Sequence, residues 1–153
     1  MGKKSSSEKL VIAAASTGAA VGAAYLAVGN AIFNKTMSKK AIAKKMDEKK
    51  NEYDGITKEG MEWFDSASPA KVKIVTPRGG YVHGEIILAD EPSDVWVIVI
   101  HGYTGSPRRM GSFGKRFHEM GYNCLFPYLC GHGASESNYV TMGWNDRRLG
   151  STT

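Results

Sequence analysis

The sequence VIVIHGYTGS, from Val97 to Ser106, decides the fold. An unbroken run of Val and Ile is typical of a β-strand that is buried on both faces, because neither face meets water. The run ends at His101-Gly102, and a glycine at the end of a strand indicates a sharp turn or a close approach of the backbone to another group. We therefore predict a buried strand over 94–100 and a functional loop directly after it.

The residues before this strand predict a helix and a hairpin. Residues 55–70 have the pattern of a short amphipathic helix, with an apolar side formed by Met61, Trp63 and Phe64. Apolar residues then alternate with polar ones on both sides of 77–80, the sequence PRGG. Such alternation around a turn sequence predicts an antiparallel β-hairpin.

The residues after the strand predict a helix and a second strand. In the predicted helix over 106–121, apolar residues recur every three or four positions and are expected to face the sheet. These residues are Met110, Phe113, Phe117 and Met120. Residues 122–128 predict a second buried strand, in which Cys124 is a core residue. A strand, a helix and a strand with short connections form a right-handed βαβ unit, so the two strands should be parallel.

The N-terminal region predicts a membrane segment. Residues 10–33 contain no charge over 24 positions, and as a helix they would extend ~36 Å, which exceeds a hydrocarbon core of ~30 Å. We divide the chain into a basic N-terminus (1–9), a transmembrane helix or uncleaved signal anchor (10–34), a basic juxtamembrane linker or helix (35–54) and a domain (55–153). The expected location is the cell membrane with a single N-terminal span of unassigned orientation. A secreted protein with a cleaved signal peptide is the alternative.

The positive charge of the chain is concentrated in the segment after the membrane helix. Between Lys35 and Lys50 there are seven lysines against two acidic residues, a net charge of +5 that equals the excess of the whole chain. Beside a membrane segment such charge attracts anionic lipid headgroups, at about 1 kcal/mol per lysine near the surface. We therefore expect membrane lipid as a partner, with a solvated helical linker as the other interpretation. Nucleic acid is not expected, because no aromatic residues stand between the lysines to stack on bases.

The order of elements and the sequences at the strand ends carry a resemblance to a known family. A hairpin, a strand ending in HGYTGS, a helix and a strand ending in PYLCGHGASES together resemble the N-terminal half of an α/β-hydrolase sheet. Over about 63–147, including NYVTMGWNDR at 138–147, the chain is similar to bacterial serine hydrolases of the type that includes serine aminopeptidases S33, monoglyceride lipases and esterases. The stretch 138–147 also resembles a subset of membrane-anchored or secreted hydrolases. This resemblance implies an α/β fold, with an antiparallel hairpin plus one βαβ unit, preceded by a transmembrane or signal helix.

The resemblance also assigns roles to the two loops. The loop after the first buried strand would form part of the oxyanion hole, in which a backbone N–H of Tyr103 or Thr104 stabilises the tetrahedral intermediate. A tight turn without a catalytic role is the alternative. The residues expected to support the loops and shape the site are His101, Gly102, Gly131, His132 and Gly133. No metal ligand and no cofactor is expected.

The residues that such a hydrolase needs for covalent catalysis are not found in this sequence. No G-x-S-x-G motif occurs in the 153 residues, and the nearest, at 133–137, lacks the final glycine. Tyr128 and Cys130 stand where related hydrolases have Asp and Arg, and the tail RRLGSTT departs from their pattern. We therefore assign no catalytic residue and expect a truncated or frameshifted hydrolase that is inactive by itself. The alternatives are a membrane-anchored interaction protein and the N-terminal half of a split hydrolase, whose missing C-terminal half is a second chain.

Overall fold

The computed structural model describes residues 5–48, 53–75 and 81–148. The chain divides into two compact units, the first ending at Thr36 and the second beginning at Met37. The first unit is formed by helix α1 (Ser6–Met37). Its 23-residue part Ala15–Met37 is, among the described residues, the one helix that by length and composition could cross a membrane, and an N-terminal signal sequence has the same properties.

The described residues of the second unit form four strands and three α-helices. In chain order they are α2 (Lys39–Glu48), α3 (Gly55–Ser66), β1 (Ala70–Val75), β2 (Tyr81–Ile87), β3 (Trp96–Ile98), α4 (Gly111–Glu119) and β4 (Asn123–Pro127). Short 3₁₀ helices lie at Pro107–Met110 and Asp146–Arg148. The strands form one mixed sheet in the order β1-β2-β4-β3.

The strand pairing confirms the topology predicted from the sequence. β1 and β2 are antiparallel, with Val75 opposite Tyr81, as expected of the hairpin. Its predicted turn, 77–80, lies outside the described residues. β3 and β4 are parallel, with Val97 beside Cys124, and α4 connects them as the βαβ pattern predicted. The described part of the second unit is therefore a mixed α/β structure with a hairpin and one βαβ unit.

The core lies between the sheet and the helices α3 and α4. Its buried residues are Phe64, Ile87, Val99, Cys124 and Phe126. The ring of Phe64 meets the ring of Phe126 edge to face, at 5.0 Å between centroids, which is a favourable arrangement for aromatic rings. Cys124 is fully buried, as predicted, and both cysteines are free thiols.

Helices α3 and α4 contact each other through glycines. A Cβ atom added to Gly111 would overlap the carbonyl oxygen of Gly60, and one added to Gly60 would overlap the backbone of Ser112. Gly114 lies in the same way against the ring of Phe126. The two helices and the sheet therefore approach each other more closely than larger side chains would allow.

This close contact corrects the predicted inner face of the second helix. Met110 and Phe117 pack against the core as expected. Phe113 and Met120 are 58% and 60% exposed, so their predicted contact with the sheet is wrong. The reason is that the segment begins as a 3₁₀ helix and α4 then turns its glycines, not its largest apolar residues, toward α3 and the sheet.

Strand β3 and its extension alternate in burial, which corrects the prediction of a strand buried on both faces. Trp96, Ile98 and Ile100 are 51%, 56% and 58% exposed, whereas Val99 and His101 are buried. Helices α3 and α4 cover one face of the sheet. Within the described residues the other face of β3 remains accessible to solvent.

Candidate active site

The loops after β3 and β4 meet at one edge of the sheet. The two strands are parallel, so their carboxyl ends lie on the same side, which is where ligands bind in open α/β sheets. A cavity of about 210 Å³ opens there between the two loops and residues 140–146. The predicted site residues that border it are His101, Gly102, Tyr103 and His132.

His101 fastens the first loop to the second. Its Nε2 accepts the backbone N–H of Leu129 at 3.3 Å, and its Nδ1 lies 2.9 Å from the carbonyl oxygen of Gly102. Since a carbonyl only accepts, the proton lies on Nδ1 and the ring is neutral. Burial lowers the pKa of His101 to about 4, although the hydrogen bond to the carbonyl oxygen of Gly102 acts in the opposite direction. A neutral, buried His101 therefore positions the loop.

His132 joins the two loops from the other side. It is 1% exposed, and its Nε2 contacts the carbonyl oxygen of Tyr103 while its Nδ1 lies 3.1 Å from the carbonyl oxygen of Cys130. Its ring also packs against the ring of His101 with 4.8 Å between centroids. The two histidines thus hold the backbone of Tyr103 against the loop that follows β4.

The structure distinguishes the two predicted oxyanion-hole residues. Tyr103 borders the cavity, whereas Thr104 is not among its lining residues. The carbonyl oxygen of Thr104 instead accepts from Nη1 of Arg109 at 2.6 Å. The loop closes by a hydrogen bond from the N–H of Gly105 to the carbonyl oxygen of Gly102 at 2.9 Å. Of the two residues, only Tyr103 therefore lies at the cavity.

The glycine that this first loop needs for close contact is Gly105. A Cβ on Gly105 would approach the Cβ of His101 to 2.8 Å. A Cβ on Gly102 would meet no atom of the described residues within 4 Å. Gly102 leaves space on the cavity side of the loop.

The second loop owes its shape to two glycines with positive φ. Gly131 has a φ of +76°, and a Cβ there would overlap the backbone of Tyr139 and Val140. Gly133 has a φ of +46°, and a Cβ there would overlap the ring of Tyr128. Neither glycine borders the cavity. Both allow the loop to fold tightly beside it, because L side chains rarely adopt this conformation.

Asp146 is a site residue to which the sequence analysis assigned no role. Its Oδ1 accepts the N–H of Cys130 at 2.7 Å, and its Oδ2 accepts the hydroxyl of Thr141 at 2.9 Å. Burial alone would raise the pKa of Asp146, but these hydrogen bonds outweigh it and lower the pKa. The sequence GWNDR could have indicated Asp146, because it belongs to the stretch that resembles the hydrolase family. No role was predicted for its aspartate.

The thiol of Cys130 borders the cavity but is not an activated nucleophile. Burial, reinforced by the charge of Asp146, raises its pKa to about 11. The reactive form of cysteine is the thiolate, so Cys130 stays protonated and unreactive at neutral pH. The described residues contain no group of three His, Cys, Asp or Glu side chains that could hold a metal ion.

Helix α2, part of the segment predicted as a basic linker, packs on both loops. The ammonium of Lys39 donates to the carbonyl oxygen of Ser135 at 2.5 Å, and that of Lys45 donates to the hydroxyl of Tyr103 at 3.4 Å. Between them, Ile42 is 1% exposed. The helix therefore belongs to the same compact unit as the cavity, and one of its lysines contacts the side chain of Tyr103.

Comparisons with known proteins give matches that cover only part of the chain. No protein-family model matches the chain. The chain is 31% identical over 75 residues to a carboxylesterase of Bacillus subtilis (strain 168), a match that covers 49% of this chain and 27% of the relative. The chain thus spans about a quarter of the length of that relative.

Two crystal structures of an esterase from Pyrococcus furiosus are also similar. They are 30% and 31% identical to this chain, both with a TM-score of 0.49. The matches cover 55% and 56% of this chain and 33% and 36% of the esterase. The sequence match to the Bacillus carboxylesterase shows that about half of the chain is homologous to an esterase-like hydrolase.

Proposed function

We propose that this chain provides the oxyanion-hole side of a serine esterase site whose nucleophile and acid–base residues come from polypeptide outside these 153 residues. The observation that carries the proposal is the cavity at the ends of β3 and β4, with Tyr103 on its wall. His101 and His132 hold the backbone of that wall in place from both sides.

The proposed chemistry is acyl transfer from a carboxylic ester. A serine hydroxyl attacks the ester carbonyl, and the carbonyl oxygen becomes negative in the tetrahedral intermediate. The backbone N–H of Tyr103 donates to that oxygen, and one such donor is worth about 10²–10³ in kcat. Buried, neutral His101 is a positioning residue in this scheme. The proton of the serine passes to a base that this chain does not provide, and from there to the alcohol that leaves as the ester C–O bond breaks. Water then hydrolyses the acyl-serine to the free carboxylic acid and the serine hydroxyl.

The substrate class follows from the relatives. The Bacillus protein is named a carboxylesterase and the Pyrococcus protein an esterase, so esters are preferred over the peptides and monoacylglycerols that the S33 and monoglyceride lipase resemblance would add. A narrower substrate would depend on loops outside the cavity described here.

The position of β3 at the edge of the described sheet favours a second chain, or further sequence of the same chain, as the source of the nucleophile. Trp96, Ile98 and Ile100 are each more than half exposed on a strand at the edge of the described sheet. An apolar edge strand readily pairs with another strand. A C-terminal half of a hydrolase would extend the sheet at that edge and place its own strand end beside the cavity. An interaction protein without catalysis would use the same edge.

Complementation in trans tests the proposal. The full chain in mild detergent is combined with the part of the Bacillus carboxylesterase that follows its 75-residue match, and hydrolysis of a p-nitrophenyl ester is measured. We expect no turnover from either polypeptide alone and turnover from the pair.

The Tyr103→Pro variant, which lacks the backbone N–H, should lower kcat about 10²–10³-fold.

The matched control is Tyr103→Phe, which keeps the N–H and loses only the hydroxyl that contacts Lys45. Its kcat should stay close to that of the unchanged pair. A pair that co-purifies without any turnover would contradict the proposal and favour an interaction protein. Labelling of the chain alone by a fluorophosphonate would also contradict it, since that would reveal a nucleophile within these residues.

A further inference from the structure

We propose that a groove at the start of α2 binds the headgroup and first methylene groups of an anionic phospholipid. The groove has a volume of about 510 Å³, within the range of ~300–1,000 Å³ that is usual for small-molecule sites. Its lining residues are Ser38, Lys39, Lys40, Ala43, Asn138 and Tyr139. The proposal is independent of the hydrolase function, because none of these residues borders the cavity at the strand ends.

The lysines of α2 divide into two groups. Lys39 and Lys45 face the domain, where they bond to Ser135 and Tyr103. Lys40 is exposed and makes no hydrogen bond or ion pair within the described part of the chain. Lys44 is also exposed, but it pairs with Glu48 at 3.8 Å and does not line the groove. Lys40 is thus the ammonium of the groove that is available to a phosphate.

Lys39 adds a second positive charge to the same place. Its ammonium carries three N–H donors, and the contact with the carbonyl oxygen of Ser135 uses one of them. The side chain is therefore held at the groove with donors to spare. Two ammonium groups on neighbouring residues complement the single negative charge of a phosphodiester and favour an anionic over a zwitterionic lipid.

The walls of the groove are joined by backbone hydrogen bonds. The N–H of Lys39 donates to the carbonyl oxygen of Asn138 at 2.8 Å, and that of Val140 donates to the carbonyl oxygen of Met37 at 2.9 Å. Ser38 and Tyr139 form an antiparallel bridge. The groove therefore exists before a ligand arrives, so little ordering of the chain is needed on binding.

The remaining wall is apolar enough to contact the glycerol and acyl part of a lipid. Ala43 is exposed, and Tyr139 is 42% exposed. Tyrosine is typical of the membrane–water interface, where its ring meets apolar groups and its hydroxyl meets water. Free phosphate would use only the lysines, whereas a phospholipid would use the lysines and this wall together.

The position of the groove in the chain points to the same ligand. Ser38 directly follows Ala15–Met37, the helix long and apolar enough to cross a membrane. A helix that crosses the bilayer ends among the headgroups, and six residues of helix extend only ~9 Å. Residues 38–43 would therefore lie at the depth of the lipid phosphates, where the effective concentration of the ligand is high.

Native mass spectrometry of the full chain tests the proposal. The protein is exchanged into detergent micelles that contain phosphatidylglycerol or phosphatidylcholine in equal amount, and the retained lipid is counted. We expect phosphatidylglycerol to be retained in preference. The Lys40→Gln variant should retain it at least about tenfold less, because it loses a hydrogen bond between the ammonium and the phosphate. Ala43→Phe should also reduce retention, because it fills the groove and leaves the charge unchanged.

The matched control is Lys44→Gln, which removes the same charge from the same helix outside the groove and should retain the lipid normally. Equal losses in Lys40→Gln and Lys44→Gln would overturn the proposal in favour of general surface attraction. Equal retention of the two lipids would also overturn it. Displacement of the lipid by excess inorganic phosphate would show a free-phosphate site instead. Since the readout is lipid retention, failure here leaves the complementation experiment unaffected.

Discussion

The two faces of the sheet have similar residues and opposite environments. On strand β3 and its extension, Val99 is buried in the core with Phe64 of α3, whereas Ile98 and Ile100 are more than half exposed. Valine and isoleucine differ little in hydrophobicity, so residue type does not explain the contrast. What explains it is that α3 and α4 cover one face and no described element covers the corresponding part of the other. An apolar sequence therefore predicts that a strand will be buried, but the neighbouring elements determine which of its side chains are shielded from solvent.

The largest expected effect is at the centre of the covered face. Phe126→Ala removes a fully buried ring that packs on Phe64 and Gly114. We expect the free energy of unfolding to fall by about 3–5 kcal/mol, measured by urea titration of the full chain in mild detergent with tryptophan fluorescence. The control is Phe113→Ala on the exposed side of α4, which should cost only about 0.5 kcal/mol. Similar losses in the two variants would remove the distinction between the faces.

The burial of His101, which follows β3, can be tested by measuring the free energy of unfolding as a function of pH. Above pH 6.5 the residue is neutral in both states. As pH falls from 6.5 toward 4, the unfolded chain takes up a proton that the folded protein, with a pKa of about 4, does not bind. The free energy of unfolding should therefore decrease by about 2–3 kcal/mol across that window. His101→Gln, whose amide oxygen could still accept the N–H of Leu129, should lose this part of the pH dependence. An unchanged pH profile in the variant would show that His101 does not titrate in this way.

The contact between α3 and α4 gives the next effect. Gly111→Ala places a methyl group against the carbonyl oxygen of Gly60, and forcing the helices apart should cost about 1–3 kcal/mol in the free energy of unfolding. Gly55→Ala is the matched control, because a Cβ at the start of α3 meets no atom within 4 Å. It should be neutral or slightly stabilising. Equal effects would mean that the helices are not in close contact at Gly60 and Gly111.

The smallest effect on stability is expected on the uncovered face. Ile98→Thr should change the free energy of unfolding by less than about 0.5 kcal/mol, since the side chain is already 56% exposed. The variant should also be more soluble than the unchanged chain, which we expect to aggregate through this apolar edge. Both are measured on the same preparation, by urea titration and by light scattering. A loss above about 2 kcal/mol would show that this face is covered in solution by another chain.

Local patterns were sufficient to predict the topology but not the packing. The alternation around 77–80 and the strand-helix-strand order of 94–128 predicted the hairpin and the parallel pair, because strand connections follow few rules. The face of α4 was predicted from the largest apolar residues, and Phe113 and Met120 were placed wrongly. Contact there depends on how closely two helices approach, and Gly60 and Gly111 determine that only as a pair.

The site was predictable in the same partial way. The sequences HGYTGS and GHGAS located the two loops, and the structure brings His101, Tyr103 and His132 to one cavity. The hydrogen-bond partners of Asp146 and of α2 could not be predicted, because they lie far away in the chain. Asp146 bonds to Cys130, 16 residues earlier, and Lys45 bonds to Tyr103, 58 residues later. No local pattern encodes such distant pairs.

The sequence by itself determined the order of the elements, the parallel pairing of β3 and β4, and the presence of a charge-free segment followed by a basic one. These properties follow from periodicity, turn residues and composition, which act over a few neighbouring positions. Only the tertiary structure decided which face of β3 is covered, which lysines of α2 face the domain and which remain available, and which loop residue borders the cavity. Those features depend on contacts between residues that are remote in sequence, and such contacts form only when the chain folds.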